Sequence, residues 1–232
     1  MGITRMVYMV TMVFSLIVLI LSSSTTGYDY FQFTQQYQLA ACNSNPTPCK
    51  DPPEKLFTVH GLWPSNSNGP DPVNCKPKTK VPQAPQPIDA SLKPQLDIIW
   101  PNVFNRADNE SFWNKQWDKH GTCGSPTIKD KNHYFQTVIK MYITQKQNVS
   151  QILSKANINP DGIGRTRKLI ESAIRNGTND KEPKLKCQKH NGTIELVEVT
   201  LCSNYLGKQF INCPNKIPEG SRYFCPIKDI QY

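Results

Sequence analysis

The cysteines constrain this sequence more than any other feature. The chain of 232 residues contains eight of them, and all lie beyond an apolar N-terminal segment. An even number of cysteines is typical of a disulfide framework formed in an oxidising compartment. A zinc site is the competing interpretation, but no Cys-x-x-Cys pair occurs, and an exported chain favours disulfides. The sequence therefore predicts a cross-linked domain, although spacing leaves the pairing of the cysteines open.

The first 27 residues have the composition of a secretory signal. Arg5 is followed by an almost wholly apolar run over 6–21 and then by SSSTTG, the order of a charged region, a hydrophobic region and a cleavage site. A membrane anchor is the alternative, since the run is nearly long enough to span, but no second apolar stretch or basic flank follows. We expect cleavage after Gly27, secretion without a membrane anchor, and one mature domain over 28–232.

Two short segments place histidines in aromatic surroundings. They are FTVHGLWP at 57–64 and FWNKQWDKHGTC at 112–123, and they hold two of the chain's four histidines. The second segment is predicted to be helical, so that Gln116, Lys119 and His120 stand at i, i+3 and i+4 on one face. An amide, a cation and a proton carrier thus converge on one point.

These side chains suit the cleavage of RNA through its 2′-hydroxyl group. One imidazole can accept the proton of the 2′-hydroxyl, a second, protonated, imidazole can give a proton to the departing 5′-oxygen, and a lysine can stabilise the phosphoryl oxygens. Such chemistry requires no metal and no other cofactor. The alternative is structural, because a histidine beside a tryptophan is more often a packed or surface residue than a catalytic one.

Taken together, the HGLWP and WDKHGTC segments resemble the two active-site segments of the ribonuclease T2 family. The resemblance implies that His60 is the general acid, that His120 is the general base, and that Lys119 stabilises the pentacovalent phosphorane. One position departs from the family pattern, since many members have glutamate where this chain has Gln116. A glutamine can donate a hydrogen bond to a phosphoryl oxygen but cannot transfer a proton.

The same resemblance implies the fold, the cross-links and an RNA-binding surface. The expected fold is α+β, with an antiparallel sheet packed against several helices. The expected disulfides are Cys42–Cys49, Cys75–Cys123, Cys187–Cys225 and Cys202–Cys213. Aromatic faces stack on bases and amides read their edges, and the residues expected to bind RNA are Gln36, Asn102, Val103, Phe104, Phe112 and Lys115. The two phenylalanines are equally suited to a core, and Lys115 stands where the family often has another histidine.

Hydrophobic periodicity also predicts a mixed α+β domain. Helices are expected over 110–120, 130–145, 149–157 and 165–176, and strands over 28–37, 56–60, 193–202 and 222–227. The strand over 56–60 is expected to end at His60, with a tight turn at Gly61 that exposes the imidazole to a cleft. The stretch 64–94, rich in proline, is predicted to be a long exposed loop.

Glycosylation signals and charge agree with a secreted protein that acts on a polyanion. N-x-S/T sequons begin at Asn109, Asn148, Asn176 and Asn191, none with proline at the middle position, and they predict solvent-facing sites. The formal net charge of +9 suits attraction of RNA. Solubility of a secreted protein explains the charge equally well, so charge alone does not decide the function.

Within the family, the chain resembles the self-incompatibility ribonucleases of rosaceous plants, through YDYFQFTQQYQLAAC at 28–42, the second motif with its glutamine, the basic charge and the eight cysteines. This implies a monomeric glycoprotein of the style transmitting tract that enters pollen tubes, degrades their RNA and is bound by pollen F-box recognition proteins. The segment 64–82 then corresponds to the place where such proteins vary between alleles. The alternatives are a secreted ribonuclease for nutrient recovery or defence, and an inert storage or binding relative, which the intact His60, Lys119 and His120 argue against.

Overall fold

The computed structural model describes residues 27–75, 86–144, 147–214 and 217–232. The predicted secretory signal lies outside the described residues except for Gly27. Most of the lysine-rich part of the segment 64–82, including Lys78 and Lys80, also lies outside them. No helix in the described part of the chain is long and apolar enough to cross a membrane.

A six-stranded sheet forms the centre of the structure. Its long strands are antiparallel in the order β2-β1-β4-β3, and these are β1 (Tyr30–Tyr37), β2 (Phe57–Ser65), β3 (Lys184–His190) and β4 (Thr193–Asn204). Two short strands pair with β4, one antiparallel and one parallel, and these are β5 (Phe210–Ile211) and β6 (Ile230–Gln231). The prediction of an α+β fold built on an antiparallel sheet is confirmed for the four long strands.

Helices fill the chain between β2 and β3 and one short helix follows β1. They are α1 (Gln38–Asn43), α2 (Lys93–Ile99), α3 (Asn109–Lys119), α4 (Lys131–Ile139), α5 (Val149–Lys155) and α6 (Arg167–Gly177). Three of them begin with a side-chain cap, in which an oxygen of Asp130, Asn148 or Thr166 accepts a backbone N–H of the first turn. Such caps satisfy donors that the helix itself leaves unpaired. A π-helical turn, Lys140–Thr144, continues α4.

Alternation along the strands gives the sheet one apolar and one polar face. Phe33, Val59 and Val199 belong to the apolar side and are completely buried. The residues that alternate with them form polar rows that run across the strands. In one such row, Gln36 of β1 lies opposite Glu198 of β4, and Glu198 lies opposite Lys186 of β3. The apolar side chains feed two cores, one with α5 and α6 and one with α2, α3 and α4. The polar rows belong to the other face of the sheet.

All eight cysteines are paired as the family resemblance implies. The bonds are Cys42–Cys49, Cys75–Cys123, Cys187–Cys225 and Cys202–Cys213. Cys75–Cys123 joins the chain beyond β2 to the end of α3, so it ties the two histidine segments together.

Three expectations about elements are wrong. The strand predicted over 222–227 does not exist, because this stretch makes one backbone hydrogen bond to β3, from Cys187 N to Tyr223 O, and no ladder. β2 runs five residues beyond His60, to Ser65. The loop predicted over 64–94 is shorter at both ends, since Pro64 and Ser65 belong to β2 and α2 begins at Lys93. In addition, α1, α2 and β3 were absent from the sequence prediction.

Candidate active site

His60 is the extra residue of a β-bulge. Across the β1–β2 pair, Thr34 lies opposite Gly61 and Gln35 lies opposite Val59, so β2 has one residue more than β1 here. A bulge redirects the side chain of its extra residue, and the His60 side chain is 31% exposed while its strand neighbours are buried. The expectation of a tight turn at Gly61 is therefore wrong, because Gly61 continues the ladder opposite Thr34.

Gly61 allows a close approach of side chains. A β-carbon at this position would lie 2.1 Å from Trp63 Nε1 and 2.7 Å from Gln116 Oε1, which close-packed atoms do not tolerate. Trp63 occupies this space, and its Nε1 donates a hydrogen bond to Gln116 Oε1 at 3.2 Å. Since an indole N–H can only donate, the amide of Gln116 has its oxygen toward Trp63 and its NH₂ group available for another acceptor.

Trp63 contacts both histidines of the two motifs. Its ring centroid is 5.2 Å from that of His60, in an edge-on arrangement at 81°, and 5.4 Å from that of His120, at 35°. The backbone of His60 is held in turn by Trp100, whose Nε1 donates to His60 O at 3.1 Å. The structure thus brings His60, Gln116 and His120 together around one indole.

The C-terminal end of α3 is fixed by contacts on several sides. The backbone N–H of His120 donates to Gln116 O at 3.0 Å, and Lys119 O accepts from Asn74 N at 2.8 Å. Three residues further on, Cys123 is bonded to Cys75. His120 therefore stands at a helix end whose position depends on the chain that follows β2.

The surroundings of His120 favour its neutral form. Burial, together with the positive charges of Lys119 and His60, lowers the pKa of His120 from 6.5 to about 4. Each of these effects destabilises the imidazolium ion. A neutral imidazole has one nitrogen lone pair free to accept a proton, so His120 is suited to act as a base at neutral and mildly acidic pH.

The surroundings of His60 are of the opposite kind. Glu198 of β4 places its Oε1 3.1 Å from His60 Nδ1, and the same oxygen lies 3.2 Å from Lys186 Nζ. Burial acts to raise the pKa of the Glu198 carboxyl, but the hydrogen bonds and charges of His60 and Lys186 outweigh it, and the pKa lies below its ordinary value. An ionised carboxylate in this position can accept a hydrogen bond from His60 Nδ1–H.

Glu198, Lys186 and Trp63 are residues of this site that sequence reasoning did not assign. Glu198 is the one charged residue in the run from Leu196 to Leu201 of β4, and a charge in the middle of an apolar strand is the signal that could have singled it out. Lys186 belongs to β3, which the sequence pattern did not predict. Trp63 was visible within the first motif, but the pattern does not say which side chains it contacts.

The six residues expected to bind RNA differ in their exposure to solvent. Gln36 is 5% exposed and lies in the polar row beside Glu198. Phe104 is 40% exposed and available for stacking, whereas Val103 is 3% exposed and packs inside. Phe112 meets the ring of Trp100 edge-on, which makes it partly a core residue. The remaining two are Asn102, half-buried, and Lys115, exposed on α3.

The four sequons differ in accessibility. Asn191, in the turn between β3 and β4, and Asn176, near the end of α6, are exposed. Asn109 is half-buried and donates from Nδ2 to Asp97 Oδ1 at 2.7 Å. Asn148 is also half-buried, and its side chain caps α5. Accessibility therefore favours Asn176 and Asn191 as acceptor sites.

Comparison with known proteins identifies the class. The model of the ribonuclease T2 family matches residues 28–213, so the chain belongs to the ribonuclease T2 family and is an endoribonuclease. It is closely related to the S-ribonucleases of pear. Ribonuclease S-5 of Pyrus pyrifolia is 65% identical over 232 residues, which cover 100% of each chain.

Solved structures agree with this assignment. The crystal structure of Japanese pear S3-RNase matches with a TM-score of 0.83 at 61% identity, covering 88% of this chain and 100% of that one. Ribonuclease MC1 from the seeds of bitter gourd matches with a TM-score of 0.70 at 29% identity, covering 88% of this chain and 100% of its own. The implied fold is thereby shared with solved ribonuclease structures.

Proposed function

We propose that this protein cleaves single-stranded RNA by attack of the 2′-hydroxyl on the adjacent phosphorus, with His120 as the base and His60 as the acid. The observation that carries the proposal is the opposite electrostatic setting of two histidines that contact the same indole, Trp63. Titratable groups whose surroundings differ in this way are the usual sign of an acid and base pair.

The first step of the reaction forms one oxygen–phosphorus bond and breaks another. Neutral His120 takes the proton of the 2′-hydroxyl as its oxygen bonds to phosphorus. The bond from phosphorus to the 5′-oxygen then breaks, and protonated His60 gives its proton to that oxygen. The products are a strand ending in a 2′,3′-cyclic phosphate and a strand with a free 5′-hydroxyl. Water hydrolyses the cyclic phosphate in a second step, with the roles of the two histidines reversed.

Lys119 and Gln116 stabilise the negative charge that develops on the phosphoryl oxygens. The ammonium group of Lys119 is exposed beside His120, and a cation there stabilises the dianionic phosphorane more than the monoanionic ground state. The oxygen of Gln116 is engaged by Trp63, so its NH₂ group is the part that donates to a phosphoryl oxygen. The glutamine thus supplies a hydrogen bond and no proton transfer.

Alanine variants of the two histidines test this mechanism. His60→Ala and His120→Ala should each lower kcat/KM for RNA by ~10²–10⁴-fold, because each removes a proton transfer. His133→Ala is the matched control, since His133 lies on α4 and its ring accepts a hydrogen bond from Lys129 N. Circular dichroism would verify folding. Near-normal cleavage by either active-site variant would contradict the assignment, and so would activity that EDTA abolishes and a divalent metal restores.

We also infer a biological role, that of a secreted style determinant of gametophytic self-incompatibility that enters pollen tubes and degrades their RNA. The N-terminal signal, the sequons and the similarity to pear S-ribonucleases support it. The protein is proposed to be a monomer recognised by pollen F-box proteins, with glycans at Asn176 and Asn191. Transcripts confined to styles are expected. Transcripts in leaves or roots and not in styles would favour nutrient recovery or defence instead.

A further inference from the structure

Glu198 is the acidic side chain in contact with the proposed general acid. We propose that Glu198 is a positioning residue for His60, one that binds Nδ1–H, directs Nε2 toward the departing 5′-oxygen, and balances the positive charge of the imidazolium. The inference rests on the proposed function and deepens it, because it explains how the imidazole of the proposed general acid is oriented toward the departing oxygen.

The geometry separates the two nitrogens of His60. Glu198 Oε1 lies 3.1 Å from Nδ1, so an ionised carboxylate fixes a hydrogen on that nitrogen. Nε2 is then the nitrogen left for substrate, and it carries the proton that is transferred. The contact spans 138 positions of the sequence and joins two strands that are not neighbours in the sheet, since β1 lies between β2 and β4. The bulge at His60 makes this reach possible, because it redirects the imidazole.

The carboxylate is held in place independently of His60. Its side chain is 13% exposed, and Lys186 Nζ lies 3.2 Å from Oε1. Lys186 is itself held, because its ammonium group lies 4.6 Å from the ring centroid of Tyr223. A carboxylate with restricted motion can orient an imidazole without first losing conformational freedom of its own.

Several cations interact with Glu198 or with His120. Lys186 and Lys184 belong to β3, and Lys119 and His120 belong to the end of α3. Lys184 acts on Glu198 through its charge, and His120 and His60 act on each other. Among the ion pairs of the described residues, Glu198 provides the carboxylate contact of His60.

Two substitutions should move the pH profile in opposite directions. Glu198→Gln keeps the shape and an acceptor oxygen but removes the charge, so His60 should lose its proton more readily and the alkaline limb of the profile should move to lower pH. Lys186→Met removes the cation that shares the carboxylate of Glu198 with His60. The alkaline limb of the profile should therefore move to higher pH. For a dinucleotide substrate at neutral pH, Glu198→Gln should lower kcat by roughly 10–100-fold, less than the loss of the histidine itself.

The choice of substrate distinguishes a positioning role from loss of structure. Uridine 3′-(4-nitrophenyl phosphate) has a leaving group that departs without a proton, so a general acid contributes little to its cleavage. Glu198→Gln and His60→Ala should both be several-fold less damaging with this substrate than with UpA, whereas His120→Ala should be equally damaging with both. Glu195→Gln is the matched control, because Glu195 also lies on β4 but bonds to Asn43 and Gln188.

The outcomes separate this inference from the proposed function. If His60→Ala spares the activated substrate but Glu198→Gln costs the same on both substrates, Glu198 supports the fold and the positioning role is rejected. If Glu198→Gln is silent on both substrates and leaves the pH profile unchanged, the role is likewise rejected. If His60→Ala costs the same on both substrates, His60 is not the general acid, and the proposed mechanism fails before Glu198 is considered.

Discussion

Trp63 is the residue that His60, His120 and Gln116 all contact. A large rigid ring sets the separation of the two imidazoles without taking part in proton transfer. The two histidines differ in their charged neighbours. His60 contacts the carboxylate of Glu198, and His120 is affected by the ammonium group of Lys119. In the proposed mechanism, two identical side chains take different roles because their charged neighbours differ in sign.

The departure at position 116 can be tested by restoring the residue common in the family. In Gln116→Glu, a carboxylate near His120 favours the imidazolium form, so the lowered pKa of His120, about 4, should rise. A base must be neutral to act, and the acid limb of kcat/KM against pH should therefore move to higher pH. Lys115→Gln is a control on an exposed position of the same helix. An unchanged acid limb in Gln116→Glu would place residue 116 outside the electrostatic reach of His120.

A second residue-scale test concerns Gly61. Gly61→Ala puts a methyl group 2.1 Å from Trp63 Nε1, so the indole must move, at a cost of about 1–3 kcal/mol in the free energy of unfolding. Since both histidines pack on Trp63, activity should fall further than this destabilisation explains. The measurements are a denaturant curve and kcat/KM at a temperature where the variant is fully folded. A stable, fully active variant would show that Trp63 can move without consequence.

The sequence made candidates of His60, Lys119, Gln116 and His120 because each motif is a short continuous segment, in which spacing and residue type are visible together. Glu198 could not be identified in this way. Its contact with His60 joins positions 138 residues apart and depends on strand order and register, which local patterns do not specify. The same reason applies to the orientation of Gln116, which follows from the indole of Trp63.

At the scale of elements, prediction succeeded where periodicity was strong. α6 and β4 lie close to the expected bounds because each has a long apolar pattern, and α3 does so although its apolar residues are only Phe112, Trp113 and Trp117. β3 was not predicted because its buried side chains are only Leu185 and Cys187, and the residues around them include lysines and a glutamine. Such a sequence is typical of a polar loop. The stretch 222–227 has aromatic residues typical of a strand, but the Cys187–Cys225 bond and Tyr223 hold it to β3 at one point.

The Cys75–Cys123 bond connects the two catalytic elements, and its removal should affect more than stability. The bond closes a sequence separation of 48 residues, so the double alanine variant should lose about 4 kcal/mol in a chain-entropy estimate. Activity of the remaining folded protein should also fall, because the end of α3 that bears His120 loses its tie to the chain after β2.

The Cys42–Cys49 bond is the matched control. Its separation is 7 residues, for which the same estimate gives about 2 kcal/mol, and neither cysteine belongs to a histidine segment. Thermal unfolding and kcat/KM at low temperature should be compared for both double variants. Equal activity per folded molecule in the two would show that the long bond stabilises the domain without positioning His120.

The whole molecule separates its cores from its chemistry. Helices cover the apolar side of the sheet, while the polar rows of β1, β4 and β3 carry Glu198 and Lys186 beside the bulged His60. The segment following β2 is anchored to the same framework, since Asp71 accepts from Gln32 Nε2 at 3.2 Å and from Asn66 N at 2.9 Å. Its outer residues Asn68 and Val73 are exposed. A surface segment can thus vary while its base stays fixed.

This arrangement makes recognition and catalysis separable if the segment 64–82 is a recognition surface. Substituting the exposed Asn68 and Val73, together with Lys78 and Lys80 of the loop predicted from the sequence, should change which pollen is rejected while leaving RNA cleavage and stability nearly unchanged. Substitutions in exposed loops usually cost within about 0.5 kcal/mol. Ser65 does not belong in that set. It is buried in β2, where its Oγ accepts from Gln32 Nε2 and donates to Trp63 O, so Ser65→Ala should instead lower activity or stability.

The decisive experiment pairs a pollination test of plants carrying the substituted segment with RNA cleavage by the same purified protein. Altered rejection with normal cleavage is the expected result. Unchanged rejection with normal cleavage would locate recognition elsewhere on the surface. Lost cleavage would mean that the outer residues support the active site through contacts such as those of Asp71 and the Cys75–Cys123 bond, which join this segment to the sheet and to the end of α3.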